Sequence, residues 1–158
     1  MANLFLASEI LEMNITEERN GAIFYSALSE SAKSAKLREK AALIAKQEKT
    51  HEERFSQLLH DVERREPEEQ YPGEFEGYVQ SLLRFKMFPE GEAARLEAKK
   101  LSDIEAIEFA LKTEHATLHL LKELKKNLPK EEVEVVELTI LEEQDHVSQL
   151  NALLGELM

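Results

Sequence analysis

The stretch IAKQEKTHEERF, Ile44–Phe55, decides the reading of this chain. Apolar residues recur around it at helical spacing: Leu37, Ala41 and Ile44 lead in, and Phe55 and Leu58 lead out. Residues three and four apart share one helix face, so this stripe is a buried face. Between Ile44 and Phe55 the same stripe passes through Glu48 and His51. A carboxylate and an imidazole on a buried face cost free energy unless something compensates them.

Three further helical patterns carry the same interruption. The first spans about Ser8 to Glu30, with stripe Leu11, Ile15, Glu18, Ala22 and Tyr25. The Ile44 stretch lies in the second, about Ser34 to Arg64. The third opens at Ser102, where S-D-I-E forms a capping box, and its stripe is Ile107, Leu111, Glu114, Leu118 and Leu121. Asn127-Leu128-Pro129 ends it, and Pro129 suits the opening turn of the fourth. That helix carries Val136, Ile140, Glu143, His146, Leu150 and Leu153. Connections of a few residues join helices one to two and three to four, so each pair is an antiparallel hairpin. Between the hairpins lie some forty residues holding Pro67, Pro72, Gly73, Pro89 and Gly91. Within them FEGYVQSLLRF reads as a short amphipathic helix, with Phe75, Tyr78, Val79, Leu82 and Leu83 to pack on the bundle or on a second subunit. The expected fold is all-α: one four-helix-bundle domain over 1–158, two hairpins joined by a long crossover.

Composition agrees. Gly (5) and Pro (4) are too scarce to punctuate many short strands, and 42% hydrophobic residues can fill one core. The net charge of -12 repels nucleic-acid backbones and anionic membranes, so neither is expected as a partner. The absence of cysteine excludes disulfides, thiolate metal sites and thiol nucleophiles from this sequence. LFLA near the N-terminus has no basic residues before it, and no apolar run reaches the roughly 20 residues of a bilayer span. A cytoplasmic, soluble protein is expected.

The two hairpins also match each other. Glu48 to Glu143 and His51 to His146 are both offsets of 95, and LEMNITEE resembles IEFALKTE. This reads as a duplicated hairpin. Glu-x-x-His occurs twice, as EKTH (Glu48, His51) and EQDH (Glu143, His146), where so glutamate-rich a chain gives about one by chance. The placement is the stronger signal, because all six polar residues interrupt apolar stripes. Four carboxylates about 5 Å apart would repel by roughly 3 kcal/mol per pair at an effective dielectric near 20. Six pairs would exceed the ~5–15 kcal/mol stability of an ordinary domain. Protons, basic partners or metal must offset that charge, and no Lys or Arg occupies the stripe levels. Two divalent cations would neutralise Glu18, Glu48, Glu114 and Glu143. The mixed O/N donor set suits Fe or Mn, with Zn possible.

On these residues the chain resembles the ferritin-like di-iron carboxylate proteins, rubrerythrin branch, over nearly its whole length. Glu18 with Tyr25 seven residues on, EKTH, Glu114 and EQDH follow that family's order. The resemblance implies two iron ions bridged by Glu48 and Glu143. Glu18 and Glu114 would be terminal carboxylates, and His51 and His146 terminal imidazoles. Tyr25 is placed to hydrogen-bond a ligand carboxylate, or simply to pack. The implied activity is oxidoreduction: reducing peroxide, or oxidising ferrous iron with dioxygen or peroxide. Two departures stand out. Thr117 occupies the place of an additional family glutamate, and no cysteine-ligated rubredoxin module is present, so an external donor such as a rubredoxin-like protein is expected. A homodimer is possible. Two other readings remain open: iron storage of the bacterioferritin type, and a non-catalytic helical interaction protein. Against storage stand the twelve residues after His146, too few for a further C-terminal helix, and Lys49 where a bacterioferritin would place its haem-binding Met. His115 and His119 flank the stripe and are expected in solvent; His60 has Gln57 rather than Glu three residues before it and is given no role.

Overall fold

The computed structural model describes residues 7–63 and 87–158. Five helices follow in order among these residues: α1 (Ala7–Ser31), α2 (Ala35–Glu63), α3 (Glu92–Lys100), α4 (Asp103–Lys126) and α5 (Lys130–Leu157). Helices α1 and α2 pair as one hairpin and α4 and α5 as the other, with α1 against α4 and α2 against α5 between the pairs. The fold is the expected helical bundle, and no strand occurs among the described residues. No helix there is long and apolar enough to cross a membrane.

The helix ends explain the tight turns. Ser102 caps α4 by accepting from the Glu105 amide while the Glu105 side chain accepts from the Ser102 amide. Asp103 also accepts from the amides of Lys33 and Ser34, at 3.0 and 2.8 Å, fastening the α1–α2 turn to the start of α4. Arg38 donates to the carbonyls of Ala32 and Lys33, in the turn that follows α1. Pro129 sits at the N-cap of α5 in extended conformation.

The core is divided. One apolar cluster gathers Phe24, Tyr25, Leu28, Leu37, Ile44, Phe88, Ile107, Leu150 and Leu153. The other gathers Ile10, Leu11, Ile15, Phe55, Leu58, Leu118, Leu121, Val136 and Ile140. Along each long helix the interrupting polar residues lie between the two. Every expected stripe residue is buried except Leu111, which is half-buried; Ala110 takes the inner place beside Ile107.

Helix α3 was not anticipated. It buries only Ala94 and Ala98 while Leu96 faces outward, so it offers no apolar stripe to read. Two alanines one turn apart let its backbone lie close along α1. Just before it, Phe88 packs on Phe24, Tyr25 and Phe109. Its amide donates to Glu17 at 2.9 Å, and the Gly91 amide donates to Asn20 at 3.1 Å. Gly91 has φ of 53°, a left-handed conformation that glycine adopts without strain. The amphipathic helix expected within FEGYVQSLLRF lies outside the described residues.

Candidate metal centre

All six interrupting residues are buried, at 0–3% exposure. Helices α1 and α4 each contribute one carboxylate, Glu18 and Glu114; α2 and α5 each contribute a Glu and a His one turn apart. Two overlapping groups form. Glu18, Glu48, His51 and Glu143 make one, and Glu48, Glu114, Glu143 and His146 the other; within each, one donor atom per residue lies within 4.8 Å of the rest. Glu48 and Glu143 belong to both.

The imidazoles turn the same nitrogen inward. His51 Nδ1 lies 3.0 Å from Glu143 Oε1 and 3.3 Å from Glu18 Oε2. His146 Nδ1 lies 2.9 Å from Glu143 Oε2 and 3.5 Å from Glu48 Oε1. The rings stack with centroids 5.9 Å apart. Each Nε2 points away from the centre to a neighbour on the opposite hairpin: His51 to Glu142 and His146 to Gln47, both at 2.6 Å. With Nε2–H donating outward, each Nδ1 is the nitrogen turned to the carboxylates, a donor to them when the ring is protonated and a lone pair for a cation when it is not.

Electrostatics describe a cluster short of positive charge. Burial, reinforced by the Glu143 charge, pushes Glu18, Glu48 and Glu114 well above the ordinary carboxylate range. Burial opposes ionisation of Glu143 too, but hydrogen bonds from His146, His51 and Glu114 hold it well below that range. Burial would lower both imidazoles, yet the carboxylates around them raise His51 and His146. A proton-compensated cluster is thus the alternative to a cation-compensated one. The donor set fits the latter better. Glu18 Oε1 is buried with no hydrogen-bond partner among the described residues, an orphaned acceptor that a cation would satisfy.

Tyr25 donates to Glu114 Oε1 at 2.5 Å and is fully buried, so it does more than pack. Burial and the Glu114 charge both raise its phenol, keeping it a neutral donor. Thr117 is buried three residues beyond Glu114 and offers only a hydroxyl. His115 and His119 are exposed, as expected, and His60 is exposed as well.

Sequence reasoning missed a further polar set around the centre, of which Glu17 and Asn14 are buried. Glu17, raised to about 8 chiefly by burial, holds the Phe88 amide. Asn14 is buried on α1 one turn before Glu18, and neither of its side-chain polar atoms has a partner among the described residues. Gln47 and Glu142 carried a signal that could have found them: each immediately precedes the glutamate of a Glu-x-x-His pair, so the duplication sets them in equivalent places.

Comparison with known proteins bears on family and fold. The family model described as Rubrerythrin matches residues 9–154. Among solved structures, a Thermotoga maritima protein described as ferritin-like and diiron-carboxylate superposes with a TM-score of 0.74 at 22% identity, covering 100% of both chains. At that identity the likeness speaks for the fold. No curated protein matches the chain.

Proposed function

The chain belongs to the rubrerythrin family, and from that premise we propose that it is a di-iron oxidoreductase that takes electrons from a separate donor and passes them to peroxide or dioxygen. The observation that carries this reading is the closed layer itself: four buried carboxylates and two imidazoles whose inward atoms converge on two overlapping groups. Glu48 and Glu143, common to both, would bridge the ions; Glu18 with His51 and Glu114 with His146 would complete the two sides. When bound, the irons supply reversible one-electron chemistry and open positions for a small oxygen species.

The chain's own residues set the conditions for that chemistry. Two apolar clusters wall the layer above and below and exclude bulk water, which strengthens every electrostatic interaction within it. Tyr25 donates to Glu114 Oε1, the oxygen 3.8 Å from His146 Nδ1, and so orients that carboxylate at the centre. Thr117 brings no carboxylate, so Glu114 and His146 would complete that side with no alternative carboxylate one turn on. With no cysteine in this sequence, electrons would arrive from an external, rubredoxin-like donor. The proposed chemistry needs only small oxidants and single electrons, for which a sealed bundle suffices.

The test is metal analysis of protein purified without chelator, then anaerobic ferrous loading and separate exposure to peroxide and to oxygen. About two irons per chain and rapid spectral oxidation by at least one oxidant are expected. Fewer than about one metal per chain, with no gain in stability on adding ferrous ion, would favour the non-catalytic bundle instead.

A further inference from the structure

The outward hydrogen bonds of the two imidazoles end on unlike groups. His51 Nε2 meets the carboxylate of Glu142, whereas His146 Nε2 meets the amide oxygen of Gln47, each at 2.6 Å. Glu142 is held as an anion. Arg54 lies on it at 3.3 Å and is itself held at 3.0 Å by Thr139 Oγ1. On the other side, the residue three beyond His146 is Gln149, which turns to Asp145. The inner shells match by duplication, but the outer partners are charged on one side and neutral on the other.

An imidazole whose N–H is shared with a carboxylate gives more electron density to a metal at its other nitrogen than one bonded to a neutral amide. We infer that the two sides of the centre are unequal, with Glu142 the positioning residue that makes the His51 side fill first with a divalent cation. The inference rests on the reading of the six residues as ligands. Arg54 draws off part of the Glu142 charge but also orients its carboxylate toward His51. Glu142 and Arg54 are 27% and 23% exposed, so solvent trims the effect without removing it.

The experiment titrates chelator-stripped, ring-15N-histidine protein with Zn(II) and follows the two Nδ1 resonances, assigned with His51→Gln and His146→Gln. His51 is expected to respond at the first equivalent and His146 at the second. Glu142→Gln keeps an acceptor oxygen and nearly the same shape, so a hydrogen bond that merely anchors the ring should survive it. If charge is what matters, this variant weakens the first binding step about 10- to 100-fold and the ordered filling disappears. Gln47→Glu should bring His146 level with His51, which keeps the inference testable if Glu142→Gln folds poorly. Parallel response of both histidines in the wild type, or unchanged order in a folded variant, overturns the inference and leaves the metal centre standing. Silence of both at two equivalents overturns the metal centre itself, and the inference with it.

Discussion

Glu48 shows how one residue serves opposite ends with and without a cation. Buried among Glu18, Glu143 and His146, its carboxylate is pushed well above its ordinary range by burial first and by Glu143 second. Removing that charge should therefore help the chelator-treated protein and harm the metal-loaded one. Glu48→Gln is expected to raise the melting temperature of the stripped chain. It should also abolish most of the gain that excess Mn(II) or Fe(II) confers, about 3 kcal/mol at a hundredfold excess over Kd. Equal metal-induced gains in variant and wild type, by calorimetry, would remove Glu48 from the centre. Tyr25→Phe isolates a different contribution. It deletes one buried hydrogen bond to Glu114 and is expected to cost about 1–3 kcal/mol in chemical denaturation. A cost near zero would mean that Tyr25 only packs. These residues were legible in the sequence because a polar residue on an apolar stripe is conspicuous. Asn14 and Glu17 were not, because a glutamate or asparagine beside the stripe looks like the many that face solvent. Glu17 is held by the Phe88 amide, from a segment distant in sequence.

At the scale of elements, the long helices followed from periodicity and capping, while α3 did not. A nine-residue helix burying two alanines has too little apolar contrast to register. Its place is set by the segment before it, where α1 and Phe88 are fitted through Gly21. A Cβ there would lie 3.1 Å from the Phe88 ring and 3.6 Å from the Glu48 carboxyl carbon. Glycine thus lets the strap lie flat against the helix beside the centre. A Cβ at Gly155 meets nothing within 4 Å. Gly155→Ala should consequently add about 0.5 kcal/mol of stability through reduced backbone freedom. Gly21→Ala should forfeit that gain to crowding of Phe88 and come out neutral or destabilising. Matched gains in urea denaturation would show that the fit is loose. Phe88→Ala removes the ring itself and is expected to cost about 3–5 kcal/mol, as for other buried aromatics.

Over the whole molecule, the sequence pattern revealed two duplicated hairpins but not what each half would place behind its histidine. Gln47 and Glu142 occupy equivalent places in the repeat, but what each one holds is decided by a contact across the hairpin interface, which no helical period along one segment reveals. The layer they surround makes the stability of the entire bundle depend on pH and cation together. Above the ordinary carboxylate value of 4.5, the unfolded chain releases protons that the folded one retains on Glu18, Glu48, Glu114 and Glu17. Above 6.5 the same holds for His51 and His146, whose folded values are also raised. Wherever the folded state binds more protons, raising the pH drains stability. Glu143 and Glu142, both lowered, contribute in the opposite sense, and only until the unfolded carboxyls have finished titrating, about one pH unit above their ordinary value. The chelator-stripped protein should accordingly lose about 5 °C or more in melting temperature between pH 5 and 8. Cations compete with those protons for the same atoms, so in excess Mn(II) the stabilisation by metal should grow over that interval and flatten or reverse the trend. What decline persists with metal bound belongs to Glu17, which is no part of either donor group and is raised to about 8. Glu17→Gln should remove it. A stripped protein whose melting temperature rises steadily from pH 5 to 8 would contradict the existence of a charge-starved layer at the centre of the fold.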